Sequence, residues 1–314
     1  MSSILVTGAG GQIGSELTPA LRQRHGHDAV IASGPEEVDD PAPPFEVLDV
    51  TDADHLESVV DTFEVDAIYH LAAILSAKGE QDPQLTYEVN VNGLYNVLEV
   101  ARRHELAQVI VPSTIAVFGP DTPDHPGEKT ILRPTTMYGI SKVFLELLAS
   151  YYHRRFDLDV RGVRYPGILS HKTRPGGGTT DYAVEVFYEA IESGSYTYFV
   201  REDTQLPMMY MQDAITAMLD LAEADESDLR YRCEYNVSAL EFTPRELTAA
   251  IREHIPDFQA SYEPDDRQEI ADSWPNTIDD TAAREDWGWS PDYDLEEMVE
   301  DMILNLRQKL DTSA

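Results

Sequence analysis

Apolar and polar positions along this chain alternate between two rhythms. Short apolar runs of strand length recur near residues 4, 30, 46, 68, 109 and 161, and most are followed by a stretch with helical spacing. Two of those stretches are long. Residues 82–104 carry Tyr87, Asn90, Val91, Leu94, Val97, Leu98 and Ala101 on one face, which reads as core or subunit interface. Residues 138–156 carry Val143, Phe144, Leu147, Leu148 and Tyr151 at the same period. Strands alternating with helices in this order predict an α/β protein with a doubly wound parallel sheet, whose ligand crevice lies at the carboxyl ends of the strands.

Past Pro166-Gly167 the texture changes. Two short strands are expected within 196–210, helices at 182–193, 211–223, 243–255, 281–286 and 295–310, and a strand at 235–238 that returns toward the sheet. The division that follows is a nucleotide-binding domain over 1–165, with a returning segment near 208–240, and a smaller α+β lobe made mainly of 166–314. Met208, Met209, Met211, Trp274, Trp287 and Trp289 read as packing.

Chemistry enters at the strand ends. Gly8, Gly11 and Gly14 follow the first strand, with Gln12 and Ile13 between the last two, and open a helix to about His25. Glycines there either make a tight connection or let backbone N–H groups and a helix N-terminus approach a pyrophosphate. Their place between first strand and helix favours the second, a dinucleotide-binding sheet of Rossmann type. The second strand ends at Ser33-Gly34-Pro35, where such folds often place an acid for a ribose; Glu36 and Glu37 stand just beyond. Asp49, before Val50, can bond an adenine amino group or close its own turn. Leu71-Ala72-Ala73 ends the fourth strand in small residues that admit a cofactor to the backbone, and His70 before them reads as structural. A buried amide at Asn90 needs partners, and serves either a water near the reacting centre or the fold.

The fifth strand delivers Ser113-Thr114, and the helix after it delivers Tyr138 and Lys142 four residues apart on one face. A phenol beside an ammonium is drawn toward phenolate and can take a proton from an alcohol. After the sixth strand, which ends at Tyr165, comes Arg174-Pro175-Gly176-Gly177-Gly178-Thr179-Thr180-Asp181. Its last residues open a helix, and serve either as a carboxylate-binding end or as an ordinary cap.

Composition narrows the class of ligand. The 314 residues hold 58 acids against 23 bases, a net charge of −35, which argues against nucleic acid and anionic membrane as partners. Acids scattered through a chain of 42% hydrophobic content read as adaptation to concentrated salt, hence a halophilic source. Cys233 stands alone, so no intrachain disulfide or cysteine metal site is expected, and no metal is assigned. A strand within three residues of Met1 and the lack of a membrane-length apolar run point to a soluble cytoplasmic protein.

Taken together, the glycine pattern, Thr114 and Tyr138-x-x-x-Lys142 resemble the extended short-chain dehydrogenase/reductases over nearly the whole chain. Within them, residues 113–120, 165–167, 175–185 and 206–211 resemble the group that oxidises the 3-hydroxyl of L-threonine. The resemblance implies NAD as cofactor, held by Gly8, Gly11, Gln12, Ile13, Gly14, Asp49, Val50, Leu71, Ala72, Ala73, Asn90, Tyr138, Lys142 and Tyr165. It implies Thr114, Tyr138 and Lys142 as catalytic residues, Ser76, Thr114, Tyr138, Gly178, Thr179 and Thr180 around the substrate, and a homodimer through helices 82–104 and 135–156. Relatives carry an acid where this chain has Gly34, so NADP is disfavoured only by the absence of a nearby arginine and by Glu36 and Glu37. Nucleotide-sugar epimerases and dehydratases share the fold, but their Arg-Asp segment is replaced by Leu206–Asp213 and their Asn by Pro166. A non-catalytic dinucleotide sensor would have no need of the Tyr138–Lys142 pair.

Overall fold

The computed structural model describes residues 3–36, 42–174 and 178–311. Glu37 and the Pro175-Gly176-Gly177 part of the glycine-rich segment lie outside the described residues.

Its centre is a six-stranded parallel sheet in the order Phe45–Val47, Val30–Gly34, Ser3–Thr7, Val65–His70, Gln108–Ile110, Val160–Arg161. Alternation along the first strand shows why the run is apolar throughout. Ile4 and Val6 pack with Leu17 and Leu21 of helix Gly14–His25 and with Met218 of helix Met211–Glu223. Leu5 points the other way, to Leu56, Val97 and Leu145 of helices Ala53–Thr62, Leu94–Arg103 and Met137–Phe156. A parallel strand covered on both faces has no polar side to show.

Three strands prolong the sheet toward the ligand side. Ser113–Thr114, Val163–Tyr165 and Tyr235–Asn236 pair in parallel, with Ser113 opposite Arg164, Thr114 opposite Tyr165 and Tyr235 opposite Val163. The expected strand near 235 thus does return to the sheet. A second body is built on Leu206–Tyr210, paired with Gly167–Leu169 and Leu240–Phe242. Its core gathers Phe187, Leu247 and Met302 from helices Tyr182–Glu192, Pro244–His254 and Leu295–Asp311. Thr243 and Glu246 close a reciprocal capping box at the second of these.

Two helical expectations change in detail. Residues 82–104 do not form one α-helix: Pro83–Tyr87 and Leu94–Arg103 are joined by a π-turn over Glu88–Gly93. A wide turn of this kind re-aims the residue it carries, and here that residue is Asn90. A short helix, Ser76–Gln81, also precedes them; its Ser-Ala-Lys-Gly composition gives no apolar period to announce it. Among the described residues, no helix is long and apolar enough to cross a membrane.

Candidate active site

The first strand ends in a turn that only bare backbone can make. Gly8 has φ of 68°, and a Cβ there would lie 2.7 Å from the amide nitrogen of Ala72. The Gly11 N–H donates to the Gly8 carbonyl at 3.0 Å, and the helix starts at Gly14. This leaves Gly8, Gly10, Gly11 and Gly14 on one wall of a cleft of about 410 Å³. The cleft runs past Leu71 and Ala73 to Thr114, Tyr138 and Lys142, and on to Tyr165, Ser76, Gly178, Thr179 and Thr180.

The reactive end is held by packing of backbone on backbone. Thr114 caps the turn Ile115–Val117 by accepting from the Ala116 N–H at 3.2 Å. Helix Met137–Phe156 starts directly against that turn, since a Cβ on Gly139 would lie 2.2 Å from the Ala116 carbonyl oxygen. Thr136 caps the helix through the Gly139 N–H at 3.1 Å, and the Glu80 carboxylate takes the Met137 N–H at 2.6 Å.

Tyr138 and Lys142 do share the cleft face, with Nζ 5.7 Å from the centre of the phenol ring. Burial adds to their electrostatics a contribution that the sequence pattern does not show. Burial pushes the Tyr138 phenol up to about 12, with the Thr114 hydroxyl pulling the other way. Burial also brings Lys142 down to about 8, opposed by the charge of Glu146. Desolvation of both groups outweighs the ammonium's pull on the phenol, because Nζ donates to the Pro112 carbonyl at 2.7 Å instead of to the phenol. Tyr138 in this arrangement is a neutral acid at pH 7.

Across the cleft, the Ser76 and Thr179 hydroxyls meet at 3.4 Å, so the two walls are stitched together at the substrate end. The Gly178 N–H is taken by the Asp181 carboxylate at 2.7 Å. That loop is therefore capped by its own aspartate, while Thr179 and Thr180 face the cavity.

Four residues assigned to the cofactor are not on the cleft wall. Asp49 bonds the N–H and hydroxyl of Thr51 at 2.9 and 2.8 Å, closing its own turn. Val50 packs beneath Gly93, where a Cβ would lie 2.6 Å away. Ala72 supports Gly8 with its backbone. Asn90 has every partner it needs: its oxygen accepts from Ile74 N–H at 2.8 Å, and its amide donates to the Ile74 carbonyl at 3.0 Å and to Ser141 Oγ at 3.1 Å. Ser141 in turn donates to the Tyr138 carbonyl at 2.7 Å. Asn90 therefore pins the loop after the fourth strand to the helix of Tyr138.

His70 is buried against Thr7 Oγ1 at 2.9 Å and driven down to about 3 by desolvation, so it stays neutral. No cluster of metal-binding side chains occurs among the described residues. The structure adds wall residues that sequence reasoning passed over: Pro112, Ile115, Ile168, Thr173, Arg174 and above all Trp274. An isolated Trp in a polar stretch carried no signal of its own beyond packing.

A backbone-lined phosphate turn opposite a Tyr–Lys pair defines a nucleotide-dependent enzyme of the doubly wound class. Residues 4–238 match the model of the NAD dependent epimerase/dehydratase family, and the chain belongs to that family. Over 98% of its length it is 47% identical to an uncharacterized epimerase/dehydratase of Staphylococcus haemolyticus, 99% of which is covered. The more particular likeness is to solved L-threonine 3-dehydrogenases. A partial consensus L-threonine 3-dehydrogenase superposes with a TM-score of 0.96 at 50% identity, over 98% of this chain and 99% of that one. The L-threonine dehydrogenase of Phytophthora infestans gives 0.95 at 49% identity over the whole of both chains. A monomeric L-threonine 3-dehydrogenase from a metagenome gives 0.95 at 48%, over 98% and 99%. The staphylococcal relatives lend no support to a halophilic source.

Proposed function

We propose that this protein oxidises the 3-hydroxyl of L-threonine to 2-amino-3-ketobutyrate with NAD as acceptor. The observation that carries the reading is the convergence, in one cleft, of the glycine turn, the Thr114–Tyr138–Lys142 group and the Ser76, Thr179 and Thr180 hydroxyls. Likeness to L-threonine 3-dehydrogenases at about half identity supports it.

The residues fit a dinucleotide. The glycine wall is free of side chains where a pyrophosphate would lie, and the Ala72 backbone behind Gly8 keeps it so. NAD is preferred to NADP because Arg22, whose guanidinium reaches the second strand, is already committed to the carbonyls of Val30 and Pro44 at 3.2 and 2.9 Å. When bound, NAD supplies a hydride acceptor at the nicotinamide ring. Gly8, Gly11, Gln12, Ile13, Gly14, Leu71 and Ala73 would hold it, with Tyr165 and Lys142 at the nicotinamide end.

Thr114 and Tyr138 then bracket the substrate hydroxyl. The Tyr138 phenol first gives its own proton to solvent, and the Lys142 ammonium, once Nζ turns from Pro112, stabilises the phenolate that this leaves. That phenolate takes the hydroxyl proton as the hydride leaves C3, while Thr114 hydrogen-bonds the same oxygen. Ser76, Thr179 and Thr180 receive the amino-acid end through neutral hydroxyls, with Gly178 setting the loop.

In this reading residues 1–165 serve the cofactor and 166–314 mainly the substrate, and the protein is cytoplasmic. It pairs as a homodimer over the apolar side of residues 82–104 and 135–156. A monomeric relative exists, so sedimentation decides that point, and the salt dependence of activity decides whether the acid excess is salt adaptation. The main test is NADH formation with L-threonine beside a panel of UDP- and dTDP-sugars. Turnover of threonine alone is expected. Thr179→Ala and Thr180→Ala should each raise KM about tenfold or more, as loss of a buried polar partner does; sugar turnover in place of threonine turnover overturns the reading.

A further inference from the structure

Directly behind the cleft lies a charged pair that takes no part in its lining. Glu146 stands one turn beyond Lys142 on the same helix, and its side chain is 2% exposed. Arg164 grips it with both arms of the guanidinium, Nε to Oε1 and Nη2 to Oε2, each at 2.8 Å, and is itself 1% exposed. The Ser113 hydroxyl donates to the same carboxylate at 2.5 Å. The remaining guanidinium nitrogen reaches the Glu128 carbonyl at 3.3 Å and Asn236 Oδ1 at 3.4 Å.

Ser113 lines the cleft itself, and Arg164 adjoins a residue that does. Ser113 precedes Thr114, Arg164 precedes Tyr165, and the two strands pair with Ser113 opposite Arg164. Desolvating two charges is costly, and an apolar pair of similar volume usually serves a core as well or better. Stability alone therefore does not account for charges at this place. Lys142 is faced by Glu146 and Tyr138 on its own helix, by His70 of the fourth strand and by Cys233 before the last strand of the extension. Glu146 is the carboxylate among them, and its charge works against the desolvation of the ammonium.

We propose that Glu146 and Arg164 are positioning residues of the active centre. The pair locks the strand end that carries Thr114 onto the helix that carries Tyr138 and Lys142, and its carboxylate is the countercharge of the Lys142 ammonium. The inference rests on reading Thr114, Tyr138 and Lys142 as the proton-transfer group.

The test is made on the full chain, with two separable readouts. Lysine labelled with 13C and 15N reports the Lys142 titration without substrate; the chain has five lysines, and Lys142→Arg assigns the signal. Steady-state rates with L-threonine give the second. Glu146→Gln leaves Arg164 unbalanced, so the Lys142 titration should fall by about one pH unit or more, and kcat at neutral pH by about a hundredfold. KM should stay within about threefold, since the substrate's own contacts are intact. The alkaline limb of the rate profile should move to lower pH. Ser113→Ala should cut kcat about tenfold with the titration unmoved, which isolates the positional part. Should Glu146→Gln fail to fold, Glu146→Leu with Arg164→Met removes both charges and decides by the same titration. A folded variant with wild-type titration and wild-type kcat overturns the proposal. A wild-type enzyme inert to threonine, with the titration still shifted in Glu146→Gln, overturns the substrate reading and leaves the positioning role standing.

Discussion

Helix Met137–Phe156 has two faces that reverse the usual arrangement of an amphipathic helix. Toward the protein it buries Gly139, Ser141, Lys142 and Glu146, together with Leu145, Ala149 and Tyr152. Toward the outside it shows Ile140, Phe144, Leu147 and Tyr151, with Leu147 65% exposed. Each buried polar group has a partner that justifies its place: Ser141 has Asn90 and the Tyr138 carbonyl, Lys142 has Pro112, Glu146 has Arg164 and Ser113. The exposed apolar face has none of its own. It continues onto Tyr87 and Tyr95 of the neighbouring helical run, and the two runs enclose a groove of about 380 Å³. An exposed apolar patch on an otherwise acidic surface is the feature on which the proposed homodimer rests. The difference teaches that the apolar period announces the helix, while its inward face at the cleft is set by chemistry.

The sharpest way to break the inner face is at its reactive tip. Tyr138→Phe should lower kcat with L-threonine by about 10²–10⁴-fold while NADH binding, followed by fluorescence titration, is kept. A variant turning over at the wild-type rate removes Tyr138 from the mechanism. Next comes the charge behind it. Lys142 is depressed from 10.5 to about 8 by burial, so the ammonium is intact below about 8 and lost above it. The unfolded chain holds that proton up to its ordinary value. Between about pH 8 and 10.5 the unfolded state thus binds more protons, and this group makes stability rise with pH. Urea unfolding at the two ends of that window should show the rise in the wild type and a smaller one in Lys142→Met; equal slopes would mean that Lys142 is not dry.

Much of this was legible in the sequence, and the limits have physical causes. The order of strands, the glycine turn and the Tyr138–Lys142 pair are local patterns, each fixed by a few neighbouring residues with one geometric solution. Asn90 was legible as a buried amide in want of partners, but which partners depends on a π-turn that no period announces. Asp49 was ambiguous because an acid before Thr51 closes a turn on itself as readily as it meets a base. Trp274 and Arg174 could not be placed, since they reach the cleft only through tertiary packing of distant segments. The Tyr138 phenol was expected to be pulled toward phenolate, yet the strength of burial, which decides the sign, is a property of the folded cleft.

The outer face calls for milder effects. Phe144→Glu with Leu147→Glu should convert a dimer to monomers in sedimentation velocity while leaving Tm within a few degrees, since neither side chain contributes to the monomer's core. A wild-type chain that sediments as a monomer would instead leave this face without a partner and remove the subunit-contact account.

The smallest expected effect lies where the two faces share one anchor. Thr136 caps the helix through the Gly139 N–H, and Thr136→Ala should cost about 1 kcal/mol of stability, as loss of such a cap does. Its effect on catalysis should be smaller still, because a second cap survives. The Glu80 carboxylate still holds the Met137 N–H, and Glu80 stands on helix Ser76–Gln81, which also carries the Ser76 hydroxyl toward Thr179. The helix of Tyr138 and one wall of the substrate end are therefore tied through a single carboxylate. Thr136→Ala combined with Glu80→Gln should lose more activity than the two changes predict separately, as groups in one network do. Simple additivity in a double-mutant cycle would show that the short helix and the catalytic helix are only neighbours.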